Sequence, residues 1–152
     1  MTPEFTALFT AKVQELTGAL RYYHKPTGTT IAPQVIHTML PARSQTWKEG
    51  EECPFVRFAI YKMEVDFRRR GNFKVAISAG IYTGGTIQDG TNDIMELVGA
   101  LSGLADHRGF APYKLQTPFS FEIGEPNPRP GSEGLQPHPY YYACGTLQFN
   151  MP

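Results

Sequence analysis

The chain has 152 residues, enough for one domain with a buried core and too few for two. Its 14 lysines and arginines balance 14 aspartates and glutamates, so no global field draws it to nucleic acid or to a membrane surface. The two cysteines, Cys53 and Cys144, exclude a disulfide framework and suit reduced thiols in a cytosolic product.

The amino-terminal residues show no basic stretch leading into a continuous apolar core, so no signal peptide is expected, and no apolar run approaches a membrane span. Thr2 can cap a helix, with Pro3 at its first position and Glu4 in its positively polarised first turn. Phe5, Leu8, Phe9, Val13, Leu16 and Leu20 follow at three- and four-residue intervals and trace one apolar stripe, which Gly18 and the Pro26-Thr-Gly28 stretch end. Gln34 to Leu40 reads as a short strand between Pro33 and Pro41. Residues 41–53 read as a long mobile loop carrying Trp47 and an acidic group, Glu49, Glu51 and Glu52.

The run from Phe55 to Glu64 places Val56, Phe58 and Ile60 on one strand face and Arg57, Ala59, Tyr61 and Met63 on the other. From Phe73 to Ile81 the alternation is cleaner, with Phe73, Val75, Ile77, Ala79 and Ile81 facing one way. Between the two runs Arg68, Arg69 and Arg70 precede Gly71-Asn72, a turn signal, so the pair predicts an antiparallel hairpin with a charged tip. A glycine-rich lead-in, Gly84 to Gly90, opens a second helix with Thr91 as its expected cap and Ile94, Leu97, Val98, Leu101 and Leu104 as its buried stripe. Gly99 and Gly103 inside that stripe each weaken the helix by about 1 kcal/mol relative to alanine and read as places of close packing on a sheet.

Phe119, Phe121 and Ile123 alternate with Ser120 and Glu122 as a further strand. Residues 125–139, rich in proline, form a mobile, extended excursion. The closing strand sets Tyr141, Ala143, Gly145, Leu147 and Phe149 on one face. The elements predict a single α+β domain over residues 1–152, a mainly antiparallel four- to five-stranded sheet with two helices packed on one face.

The chemistry of a reaction centre is sparse. His24, His37, His107 and His138 stand singly with no second ligand type at metal spacing, and no serine sits in a nucleophile elbow, so neither catalytic residue, cofactor nor metal is expected. Gly80 to Gly90 holds four glycines between a strand and a helix, as a phosphate cradle would, but Asp89 and Asp93 would repel the phosphate. Cys144 paired with a histidine could act as a nucleophile, yet its place among Tyr142, Ala143 and Gly145 suits a small buried thiol. The sharpest local charge is the arginine triplet, Arg68 to Arg70. With Glu49, Glu51 and Glu52 it gives one subunit a basic and an acidic patch, a combination that suits a head-to-tail contact closing into a ring.

Pro54-Phe-Val and Val75-Ala-Ile-Ser-Ala-Gly-Ile-Tyr82 resemble the start of the tail terminator proteins of long-tailed bacteriophages. The likeness continues through Asp89-Gly-Thr-Asn-Asp-Ile-Met-Glu-Leu-Val, Pro118-Phe-Ser-Phe-Glu-Ile and His138-Pro-Tyr-Tyr-Tyr-Ala-Cys-Gly-Thr-Leu-Gln-Phe, spanning residues 53–152. The arginine turn and the long proline excursion depart from that pattern. The resemblance implies a non-enzymatic structural protein of the virion, made in the host cytoplasm, that forms a ring of six copies at the head-proximal end of the tail. Such a ring stops polymerisation of the tail tube protein, offers a surface to the head–tail connector or stopper, and lets DNA pass without sequence-specific binding. Two alternatives stand beside it: another phage neck or tail-completion protein, and a small-molecule-binding α+β domain using the Gly80 to Gly90 loop.

Overall fold

The computed structural model describes residues 2–38, 48–124 and 135–151. Leu40, Trp47, residues 41–47 of the first loop and 125–134 of the proline excursion lie outside the described residues. The chain order is α1 (Thr2–Thr17), β1 (Tyr22–His24), β2 (Thr29–Ile31), β3 (Gln34–His37), β4 (Phe55–Val65), β5 (Gly71–Tyr82), α2 (Ile87–Leu101), β6 (Lys114–Leu115), β7 (Ser120–Ile123) and β8 (Tyr140–Met151). Two short 3-10 turns, Ser102–Ala105 and His107–Phe110, join α2 to β6.

The alternating apolar positions of β5 and β8 build the centre. The two strands pair antiparallel over their whole length, from Gly71 opposite Met151 to Tyr82 opposite Tyr140. Phe73, Val75, Ile77, Ala79 and Ile81 therefore line up with Phe149, Leu147, Ala143 and Tyr141 on one face, where all are buried. Both helices cover that face. Phe5 of α1 meets Phe73 and Phe149 edge-on with ring centroids 4.8 Å apart, and Phe9 lies 4.5 Å from Phe58. From α2 and the turn after it Ile94, Leu97, Leu101 and Leu104 are buried, while Val98 is half-buried at the margin of the same core.

The sheet differs from the antiparallel four- to five-stranded expectation at its edges. It has six strands in the order β3-β4-β5-β8-β6, with β7 also paired to β8, and β3 runs parallel to β4 with Gln34 opposite Phe55. A parallel neighbour needs a crossover of a dozen residues or more, which the segment between His37 and Phe55 supplies. A separate two-stranded antiparallel sheet, β1 with β2, follows α1 where only a helix stop was expected. Each of its strands is three residues long, too short to show an alternation in sequence.

Three local expectations are corrected. The cap of α2 is Thr86, not Thr91: its hydroxyl accepts from the Asp89 N–H at 3.2 Å, and Asp89 Oδ2 accepts from the Thr86 N–H at 3.0 Å. This reciprocal box starts the helix a turn early and holds the first amides. Neither Gly99 nor Gly103 serves close packing on the sheet. A Cβ at Gly99 would meet nothing within 4 Å, and one at Gly103 would lie 2.6 Å from Leu16 of α1. Gly90 has that role, since a Cβ there would fall 2.2 Å from the Tyr141 ring. Finally, the register of β4 slips between Ile60 and Lys62. One extra residue inverts the alternation beyond it, so Met63 pairs with Phe73 and changes to the helix side of the sheet.

Candidate functional site

In the β4–β5 hairpin the outer half of β4 is left uncovered, although Phe73 opposite Met63 stays buried against Phe5 of α1. Beyond Ile60 every residue of β4 is exposed, and Tyr61, Met63 and Val65 keep about half of their side-chain surface open. At the turn Phe67 is 90 % exposed, with the Arg68 guanidinium 5.3 Å above its ring. The turn is organised by Asp66 together with Gly71, and Asn72 takes no part in it. One carboxylate oxygen accepts from the backbone N–H groups of Arg68 at 2.8 Å and Arg70 at 3.0 Å, and the Asp66 N–H donates to the Arg70 carbonyl at 2.8 Å. Asn72 is an ordinary strand residue opposite Glu64 and Asn150. Gly71 closes the turn, because a Cβ there would lie 1.8 Å from the Glu64 carbonyl oxygen.

The expected arginine tip is thus real, and Arg68, Arg69 and Arg70 are all exposed. Among the described residues none of the three guanidiniums has an ion-pair partner. The apolar residues beside it escaped the sequence reading, which placed Tyr61 and Met63 in a regular strand. The available signal was Phe67, an aromatic side chain inside a charged turn.

The opposite end of β5 is acidic. Glu49 accepts from the Tyr82 hydroxyl at 2.7 Å and pairs with Lys25 at 3.9 Å, which fastens the loop before β4 to the strand end. Glu51 accepts from the Lys48 N–H at 2.9 Å, and Glu52 is half-buried. The three expected acidic contacts therefore divide: Glu49 and Glu51 are exposed, each with a partner within the chain, and Glu52 is partly covered. The arginine triplet and this group lie at different ends of the hairpin and do not meet within one chain.

A groove of 390 Å³ opens at the same acidic end, between the β1–β2 hairpin and the start of α2. Tyr22, Tyr23, Thr83, Gly84, Asp89 and Asp93 line it. Arg21 also borders it, but its guanidinium donates to the carbonyls of Gly18 and Leu20. Behind the groove Tyr22 donates to Glu96 at 2.9 Å. Burial, then the charges of Glu96 and Asp89, push the Asp93 carboxyl above its ordinary range. The glycine loop before α2 does form one wall of a cavity. It is not a phosphate cradle, because Asp89 occupies the helix N-terminus that would receive the anion.

Elsewhere the reactive side chains are held in structural roles. Cys144 lies in β8 opposite Ser78 and Glu122, and burial together with the Glu122 charge pushes its thiol up, away from the thiolate a nucleophile needs. His138 shares a 2.7 Å hydrogen bond with the Tyr141 hydroxyl, His24 one of 2.9 Å with Thr27, and His37 packs on Phe58. Among the described residues no three histidines, cysteines or carboxylates gather as metal ligands would, and no helix is long and apolar enough to cross a membrane. No protein-family model matches the chain, and no curated protein matches it at a significant level.

Proposed function

We propose that this protein is a structural tail terminator of a long-tailed bacteriophage. In this reading identical copies form a ring, six in number, on the head-proximal end of the tail tube. The ring ends tube growth and presents a joining surface to the head connector, with DNA passing through it. The observation that carries the reading is the hairpin arm. Its exposed apolar side chains, Tyr61, Met63, Val65 and Phe67, and its three exposed arginines form a surface suited to another protein. The resemblance in the order of elements supplies the particular role.

Deletion of the protein from its phage tests the proposal. Tails of irregular, overgrown length that fail to join heads are expected, and normal-length tails joined to filled heads would exclude it. Tails of normal length that cannot join heads would instead favour a neck or tail-completion role. The groove favours one further reading, a small-molecule-binding domain, in which a ligand would raise the melting temperature of a chain that remains monomeric.

A further inference from the structure

The arm and the groove are complementary, and they lie at opposite ends of one strand. Residues 66–70 precede the first residue of β5, and Thr83 and Gly84 follow its last. A strand of 12 residues rising about 3.3 Å per residue separates them by roughly 35–40 Å, so the arm cannot reach the groove of its own chain. A surface meeting its complement on the far side of an identical molecule makes a heterologous contact, which repeats from copy to copy and closes when the rotation permits.

We propose that the Phe67–Arg70 tip of one copy seats in the acidic groove of the next, with the Phe67 ring against the half-buried Tyr23 and the arginines facing Asp89 and Asp93. The proposal rests on the ring-forming part of the function given above and names the surfaces that make the ring. Three properties match. The groove is an open cleft of 390 Å³, which leaves room for an aromatic ring with an adjacent guanidinium. Tyr23, the half-buried tyrosine of its wall, suits both an aromatic ring and an arginine plane. Its two carboxylates, Asp89 and Asp93, outnumber its one cation, Arg21, so its charge is opposite in sign to that of the tip. Tyr61, Met63 and Val65 would then lie along the flank of the contact, where a partner surface removes them from water.

Two variants of the full chain test the pairing. Phe67→Ser with Arg69→Glu alters the tip and leaves Asp66 and Gly71, which shape the turn, in place. Asp93→Lys reverses charge in the groove and spares Asp89, which caps α2. Light scattering should find a ring for the wild type and a single copy for each variant. An equimolar mixture should stop at a dimer, because the Asp93→Lys copy keeps an intact tip and the other keeps an intact groove. Such a dimer also shows that both variants fold. A ring that survives either variant, or a mixture that remains monomeric, overturns the proposal while leaving the ring itself standing. A monomeric wild type overturns both the pairing and the ring. A wild-type monomer that binds duplex DNA, and loses that binding on changing the tip, would make nucleic acid the occupant instead.

Discussion

At the scale of single residues, the two ends of α2 contain the same amino acid in opposite circumstances. Gly90 is buried and a methyl group there would fall 2.2 Å from the Tyr141 ring, which is itself fixed by its hydrogen bond to His138. Gly99 is exposed, with nothing within 4 Å of the same position. Gly90→Ala should therefore destabilise, since overpacking of about 1–3 kcal/mol outweighs the gain in helix propensity of about 1 kcal/mol. Gly99→Ala should stabilise by about 0.5–1 kcal/mol. Thermal melting of the two variants checks the pair, and melting shifts of the same sign would contradict it. Tyr82 gives a pH test. Burial, then its hydrogen bond to Glu49, pushes its phenol from 10.0 up to about 12. The folded chain thus favours the neutral phenol. That contribution is complete below pH 10 and is lost as the pH rises through about 12. Tyr82→Phe should lower stability near neutrality by about 0.5–1.5 kcal/mol and flatten this part of the alkaline decline. Urea midpoints measured across that range would show it.

At the scale of elements, α2 is held by its stripe and by its cap, two contributions of different size. Leu101 is fully buried in the central core, and Leu101→Ala should cost about 2–5 kcal/mol through lost transfer energy and the cavity left behind. Removing the capping hydroxyl, in Thr86→Ala, should cost only about 0.5–2 kcal/mol. Denaturant unfolding should rank the two in that order. An unchanged midpoint for Leu101→Ala would mean the stripe does not pack as described. The β4–β5 hairpin is a different kind of element. Its β5 strand is part of the core, but the side chains of Tyr61, Met63, Val65 and Phe67 are largely exposed, so truncating these four should leave the melting temperature almost unchanged.

At the scale of the whole molecule, the basic arm and the acidic end give the chain a direction. Changing Arg68, Arg69 and Arg70 together to serine should leave folding intact, because Asp66 and Gly71 shape the turn. The same change should weaken the ring proposed above. One exposed charge pair contributes about 0–1 kcal/mol, but the term recurs at every identical interface. Such pairs are screened beyond about 8–10 Å at moderate ionic strength, so added salt should dissociate the wild-type assembly more steeply than the serine variant. Sedimentation across a salt series measures this, and equal salt slopes would show that the tip is only solvated.

The sequence by itself determined the elements whose neighbours repeat. The alternation of Phe73 to Ile81 and of Tyr141 to Phe149, and the helical spacing of Ile94, Leu97 and Leu101, each mark a face that must leave water, and each face is buried. It also placed the charged hairpin tip, since a turn between two apolar runs is a local event. The tertiary structure alone decided what depends on distant partners. The parallel pairing of β3 with β4 is set by where a crossover delivers the chain, and hydrophobic period carries no record of strand direction. The slip between Ile60 and Lys62 is a matter of register against β5, and it moved Met63 across the sheet. The groove joins Tyr22 and Tyr23 to Asp89 and Asp93, residues far apart in the chain that become neighbours only when the β1–β2 hairpin lies beside α2. Periodicity reports which side of an element avoids water, whereas a site is made by the long-range packing that brings elements together.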